Sequence, residues 1–325
     1  MARTGTGTRT GTSTDAARDQ PLTARLPGGP RAGQTVAAVV LSLSPVCIEL
    51  SEAEAGTASV YRCLLCVPVL VLLSLPEHRR EGPPPRRQLL YGVAGGALFA
   101  GDMLLWSKAI TEVGAGLSTV LVNVQVVLVP LLAWAVDREH VPRRFLLWLP
   151  VLIAGVVLTG GLFEQGASGS DPAAGTVHAV LAALSYSGFL FLLRRGGFQG
   201  HVVTTYTVVV VSATVFSALG GWAWGALDLT PPGVALGWLA VAAVSSGMIG
   251  WLLVALNSPH LPSHVGAVLL LLTPVGALLL GAGVLGERPT LALGAPPTPL
   301  RQWGRGGCAL ILVSAYATVT SRRRT

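Results

Sequence analysis

Asp102 and Trp106 stand four residues apart in GDMLLWSKAI, residues 101–110, so on a helix they share one face. The surroundings are otherwise nearly all apolar. A charge near a bilayer centre costs at least ~2.5–3.5 kcal/mol, so a carboxylate there needs partners or a water-filled cavity. One chemistry for this face is a cavity wall, with Asp102 as a proton or cation carrier and Trp106 stacking on a substrate. The alternative is a packing carboxylate, either protonated or paired with Lys108 or Arg62. Asn123 and Gln125 are amides in the next apolar run, and they either bond substrate or tie helices together. They project about 200° apart around a helix axis, which leaves Asn123 as the better cavity candidate. Tyr186, Ser185 and Asn257 are further polar groups of the same kind. Glu49 and Arg62 flank a short loop, where they either form a gate or extend to the membrane interface.

Other residue types carry less. His178, His260 and His264 have no carboxylate at metal-site spacing, so no metal is expected. Glu139 and Glu287 each follow an apolar run and read as loop-capping acids, not as catalytic groups. Cys63 and Cys66 form C-x-x-C inside an apolar helix, where cysteine serves as a small hydrophobe. No G-K-[ST] phosphate loop and no H-E-x-x-H exists, and VSSG at 244–247 lacks the leading glycine of a strained serine motif. Neither ATP hydrolysis nor enzyme chemistry is expected, and no cofactor is called for.

These residues must be positioned by membrane-spanning helices. Charged residues make up 11% of the chain, against about 25% in soluble domains, and mean hydropathy is +0.63. Ten apolar runs of spanning length recur: 35–50, 58–75, 89–110, 114–136, 145–162, 175–193, 202–224, 233–256, 265–285 and 304–320. Residues 1–34 are Gly/Thr/Arg-rich and read as a disordered tail, and 322–325 as a basic tail. The net charge of +7 comes from short basic clusters between the runs, which argues against nucleic acid as a partner. With the N-terminus cytoplasmic, 17 of the 22 Arg and Lys residues fall inside, Arg62 and Lys108 being among the five outside. Both termini are therefore expected in the cytoplasm, in a multi-pass protein of the cell membrane.

The runs divide five and five. GLSTVLVNVQVVLVPLLAWAVDREHV at 116–141 lines up with HVGAVLLLLTPVGALLLGAGVLGERP at 264–289, offset by 148 residues. Five is odd, so copies at 35–162 and 175–321 insert in opposite orientations, an inverted repeat with the substrate site between them. TPVGALLLGAGVLGE at 273–287, with Pro274 and the Gly286-Glu287 pair, resembles the EamA-type family of the drug/metabolite transporter superfamily. The first copy departs from that pattern: Val126 stands where the proline is usual, Pro130 comes one turn later, and Arg138 replaces the glycine before Glu139. LIAGVVLTGG at 152–161 resembles the family's closing helix, whose counterpart LILVSAYAT at 310–318 has Ser314 in place of Gly155. Arg62 also fits, as the family commonly opens its second helix with arginine. The resemblance implies an all-α integral membrane protein of two inverted five-helix repeats that exports a small metabolite or drug. A polytopic enzyme and a non-transporting sensor or partner subunit remain as alternatives. The lipid bilayer and a small-molecule substrate are its expected partners, and oligomeric state stays open, with a homodimer the alternative considered.

Overall fold

The computed structural model describes residues 29–113, 115–159, 171–197, 201–284, 309–314 and 316–317. Glu287, the insertion before the last apolar run, and both terminal tails apart from residues 29–34 lie outside the described residues. Among these residues the secondary structure is entirely helical. Seven helices are long and apolar enough to cross a membrane. They include α1 (Gly29–Ser51), α2 (Ala55–Glu81), α3 (Arg86–Val113), α6 (Pro172–Gly197), α7 (Val202–Ala223) and α8 (Gly233–His260). The seventh is α4, which runs as Ala115–Asn123 and then Gln125–Asp137. α5 (Arg143–Thr159) and α9 (Ser263–Leu270, then Leu272–Val284) complete the described set, with a last short turn at 309–314.

Several boundaries differ from the hydropathy reading, most in α1 and α2. α1 begins at Gly29, so residues 29–34 belong to a helix and not to the tail. α2 continues past its apolar stretch to Glu81, and its polar end reaches the start of α7. Glu77 accepts the backbone N–H groups of Val203 and Thr204, at 3.2 and 2.7 Å, and so caps the start of α7. The longer α2 also opens earlier, at Ala55, which places Arg62 about two turns inside the helix. Arg62, already inside the expected span at 58–75 though counted among the five outside residues, thus lies deeper in the helix and leaves that count.

Two of the helix breaks come just ahead of a proline. α2 is interrupted at Leu65 and Cys66 ahead of Pro68, and α9 at Leu271 ahead of Pro274, each within reach of the carbonyl that a proline ring cannot serve. α4 breaks at Val124. The 148-residue offset carries that position to Leu272, beside the break in α9.

Packing follows the same register. α1 packs on α8 and α9, and α6 packs on α3 and α4; α2 meets α7, and α4 meets α9. Shifting every partner by five helices reproduces the pairing. Close approach of α3 and α7 is made possible by Gly96, where a Cβ would sit 2.9 Å from the Ala213 backbone nitrogen. The outer surface exposes Leu147, Trp222 and Val234, large apolar side chains suited to hydrocarbon. Arg79, Arg86, Arg138, Arg143 and Arg194 gather at one end of the bundle, here termed the basic face.

Candidate functional site

Four helices from both halves meet around an aromatic cluster. Phe99 on α3 stacks on Phe189 of α6, with ring centroids 4.5 Å apart, and Trp251 of α8 stands edge-on to both, at 5.4 and 5.0 Å. Tyr186, one turn from Phe189, completes the group at 6.0 Å from Trp251. Such offset and edge contacts match the ring quadrupoles. Above them lies Arg62 of α2, its guanidinium 5.8 Å from the Phe99 centroid, donating to Ser44 Oγ of α1 at 3.1 Å and touching the Met103 sulfur. The cation thus rests on an aromatic face inside the bundle.

Asp102 is on α3, three residues beyond Phe99. At 1.5 Å per residue it lies about 24 Å from Arg86 and about 17 Å from Val113, near mid-depth. Its Oδ1 is buried with no hydrogen-bond partner among the described residues, and so is Trp106 Nε1 one turn away. Arg62 and Tyr186 are both within electrostatic reach of the carboxylate. No ion pair joins Arg62 and Asp102 among the described residues. A buried carboxylate, a buried indole N–H and a guanidinium around aromatic walls can hold a small polar or charged molecule, or exchange a proton for one.

The sequence candidates divide accordingly. Asp102, Arg62 and Tyr186 come together here, with Trp106 adjoining. Lys108 does not join Asp102: it lies 3.9 Å from Glu112 and 5.0 Å over the Trp224 ring, toward the far end of α3. Glu49 is exposed, whereas Arg62 turns inward to Phe99 and Ser44, so these two side chains do not face each other across a gate. Asn257 is buried at the basic face, where it donates to the Leu253 carbonyl at 2.6 Å and packs against Gly33 of α1. Asn123 is half-buried beside the break in α4, and its neighbour Gln125 reaches α9 through the Ala267 carbonyl at 3.4 Å. Phe99, Phe189 and Trp251 were not singled out from the sequence. The one signal there is i, i+3 spacing, Phe99 to Asp102 and Tyr186 to Phe189, and Trp251 has none.

The basic face is closed by polar contacts. Arg194 of α6 pairs with Glu139, past the end of α4, at 2.7 Å. The other Glu139 oxygen accepts the Ser263 N–H at the start of α9 at 2.8 Å, and Arg194 Nε donates to the Ser258 carbonyl at 3.3 Å. Glu139 is thus a capping acid, as its position suggested, but the helix it caps comes from the other half. Arg195 pairs with Asp137 at 3.1 Å beside it. Directly above lies a cavity of about 20 Å³ lined by Gln34, Arg194, Ser258 and Ser263 among others, room for one water-sized group and no metabolite. At the opposite end, the Glu112 carboxylate of α3 contacts His178 of α6, and the Glu112 backbone carbonyl accepts the Asp171 N–H at 3.0 Å. Among the described residues no cluster of three or more His, Cys, Asp or Glu side chains fits a metal ion.

Comparison with known proteins agrees with this architecture. The profile of the EamA-like transporter family matches residues 34–161. That is the half whose motif departs further from the family pattern. An uncharacterized protein of Pseudomonas aeruginosa is 32% identical over 244 residues, covering 75% of this chain and 79% of its own length. A protein crystal structure superposes with a TM-score of 0.69 over 90% of this chain and 99% of its own, at 16% identity, a likeness of fold.

Proposed function

The chain belongs to the EamA-like transporter family, a multi-pass membrane transporter of the drug/metabolite type, and on that premise we propose that it is a secondary carrier working by alternating access. The cargo is a small metabolite or drug, moved outward from the cytoplasm and coupled to an ion gradient or to exchange. In this reading the two inverted repeats are residues 35–162 and 175–321, both termini are cytoplasmic, and the membrane is the cell membrane.

The observation that carries the reading is Asp102. A carboxylate oxygen with no hydrogen-bond partner among the described residues, at mid-depth within reach of Arg62 and Tyr186, is costly to keep unless it has a task. The aromatic walls come from α3, α6 and α8, so the site lies between the halves that alternating access must rock against each other. Arg62 supplies the counter-charge, and Trp106 Nε1 a further donor.

Metabolite profiling of cells with and without the gene identifies the cargo. Asp102→Asn, reconstituted in proteoliposomes, then tests the site. The variant should insert normally and retain substrate exchange, yet lose accumulation driven by a proton gradient. Gradient-driven accumulation equal to wild type would reduce Asp102 to a packing carboxylate and remove the basis of this reading.

A further inference from the structure

α8 changes its winding immediately before the aromatic cluster. Residues Ala243–Gly250, AVSSGMIG, form a π-helical segment between α-helical Gly233–Ala242 and Trp251–Asn257. Its final bond is made by Trp251 itself, whose N–H donates to the Ser246 carbonyl five residues back. Such segments are rare, and a π turn holds one more residue than the α turn it replaces. Rewinding it as α-helix would swing Trp251 by about 100° relative to the first half of α8. The indole would then leave Phe99, Phe189 and Tyr186.

The surrounding helices hold the wide turn open. Tyr206 of α7 is 1% exposed, and its hydroxyl donates to the Gly247 carbonyl at 2.6 Å. On the α2 side, Cys66 Sγ donates to the Ala243 carbonyl at 3.3 Å. Gly247 and Gly250 leave room for this packing: a Cβ at Gly247 would collide with Cys66 Sγ, and one at Gly250 would lie 2.7 Å from Leu41. The weak helix formers Ser245, Ser246, Gly247 and Gly250 lower the cost of departing from α geometry.

We propose that Tyr206 is a positioning residue of the central site: its hydroxyl holds the π turn of α8, and the turn holds Trp251 in the aromatic wall. The functional meaning rests on the transport reading of that wall, whereas the positioning itself is testable without any substrate. Tyr206→Phe keeps the buried ring and removes only the donor. The full chain is labelled with 5-fluorotryptophan and its 19F spectrum recorded in lipid nanodiscs, the signal absent from Trp251→Phe identifying that residue among the eight tryptophans.

In Tyr206→Phe the Trp251 signal is expected to shift by more than its linewidth or to split, with the other seven unmoved. Thr207→Val, which removes the neighbouring hydroxyl bond to the Leu70 carbonyl, should leave it in place. Gly247→Ala attacks the turn from the Cys66 side with Tyr206 intact, and should displace the same signal even if Tyr206→Phe yields little folded protein. An unmoved Trp251 signal in Tyr206→Phe or in Gly247→Ala overturns the proposal. So does an equal shift in Thr207→Val, or displacement of all eight signals. Failure of the transport reading would leave these spectra unchanged.

Discussion

Replacing Glu139 with Gln removes one charge from the closure of the basic face while keeping an oxygen to accept the Ser263 N–H. What is lost is the charge-assisted bond from Arg194, 2.7 Å long, between side chains only 12% and 19% exposed. Hydrogen bonds to charged groups contribute about 1.5–3 kcal/mol, and here water screens little of that. If the bond exists only while this face is closed, the population open toward the basic face rises roughly 10- to 150-fold. The assay is the labelling rate of Gln34→Cys by a membrane-impermeant maleimide added to the basic face, read on the peptide by mass spectrometry. Gln34 is 1% exposed and lines the small cavity, so labelling requires opening. Asp137→Asn is the control: its pair with Arg195 is 3.1 Å long and 27–28% exposed, which places it nearer the ~0–1 kcal/mol of surface pairs. Its labelling gain should stay under about fivefold. A gain in Glu139→Gln below about twofold, or no larger than in Asp137→Asn, would refute the argument that this pair holds the face shut.

Two further outcomes are expected. Gly96→Ala should lower stability by about 1–3 kcal/mol, since the new Cβ meets the α7 backbone, whereas Gly237→Ala, with nothing within 4 Å, should be neutral or stabilising; equal unfolding midpoints for the two would contradict the α3–α7 packing. For orientation, a cysteine at Gly169 should react with an impermeant reagent outside the cell and one at Pro83 should not, Pro83 being preferred to its neighbour because Gly82 sits at φ +76°. The reverse pattern would invert the topology.

Hydropathy and charge by themselves determined that this chain is a bundle of membrane helices, because ~20-residue apolar runs leave the backbone no other way to satisfy its hydrogen bonds in lipid. The 148-residue offset, carried by few identities, pointed to the repeat but to no helix break; that α4 and α9 break within one residue of that register was visible only in the structure. Asp102 was conspicuous for the same reason: one charge in an apolar run is a local property. Tertiary structure decided which residues Asp102 meets. Arg62 read as a residue near the outer end of its span, a gate or interface arginine, and only its packing on Phe99 and Ser44 turned it inward. Lys108, closer in sequence to Asp102, went instead to Glu112. Trp251 carried no signal at all, since an aromatic residue in a spanning helix looks the same whether it faces lipid or a site. Its direction depends on the π turn before it, and that turn is held by Tyr206 and Cys66, residues distant in sequence whose bonds to α8 exist only once the helices have packed.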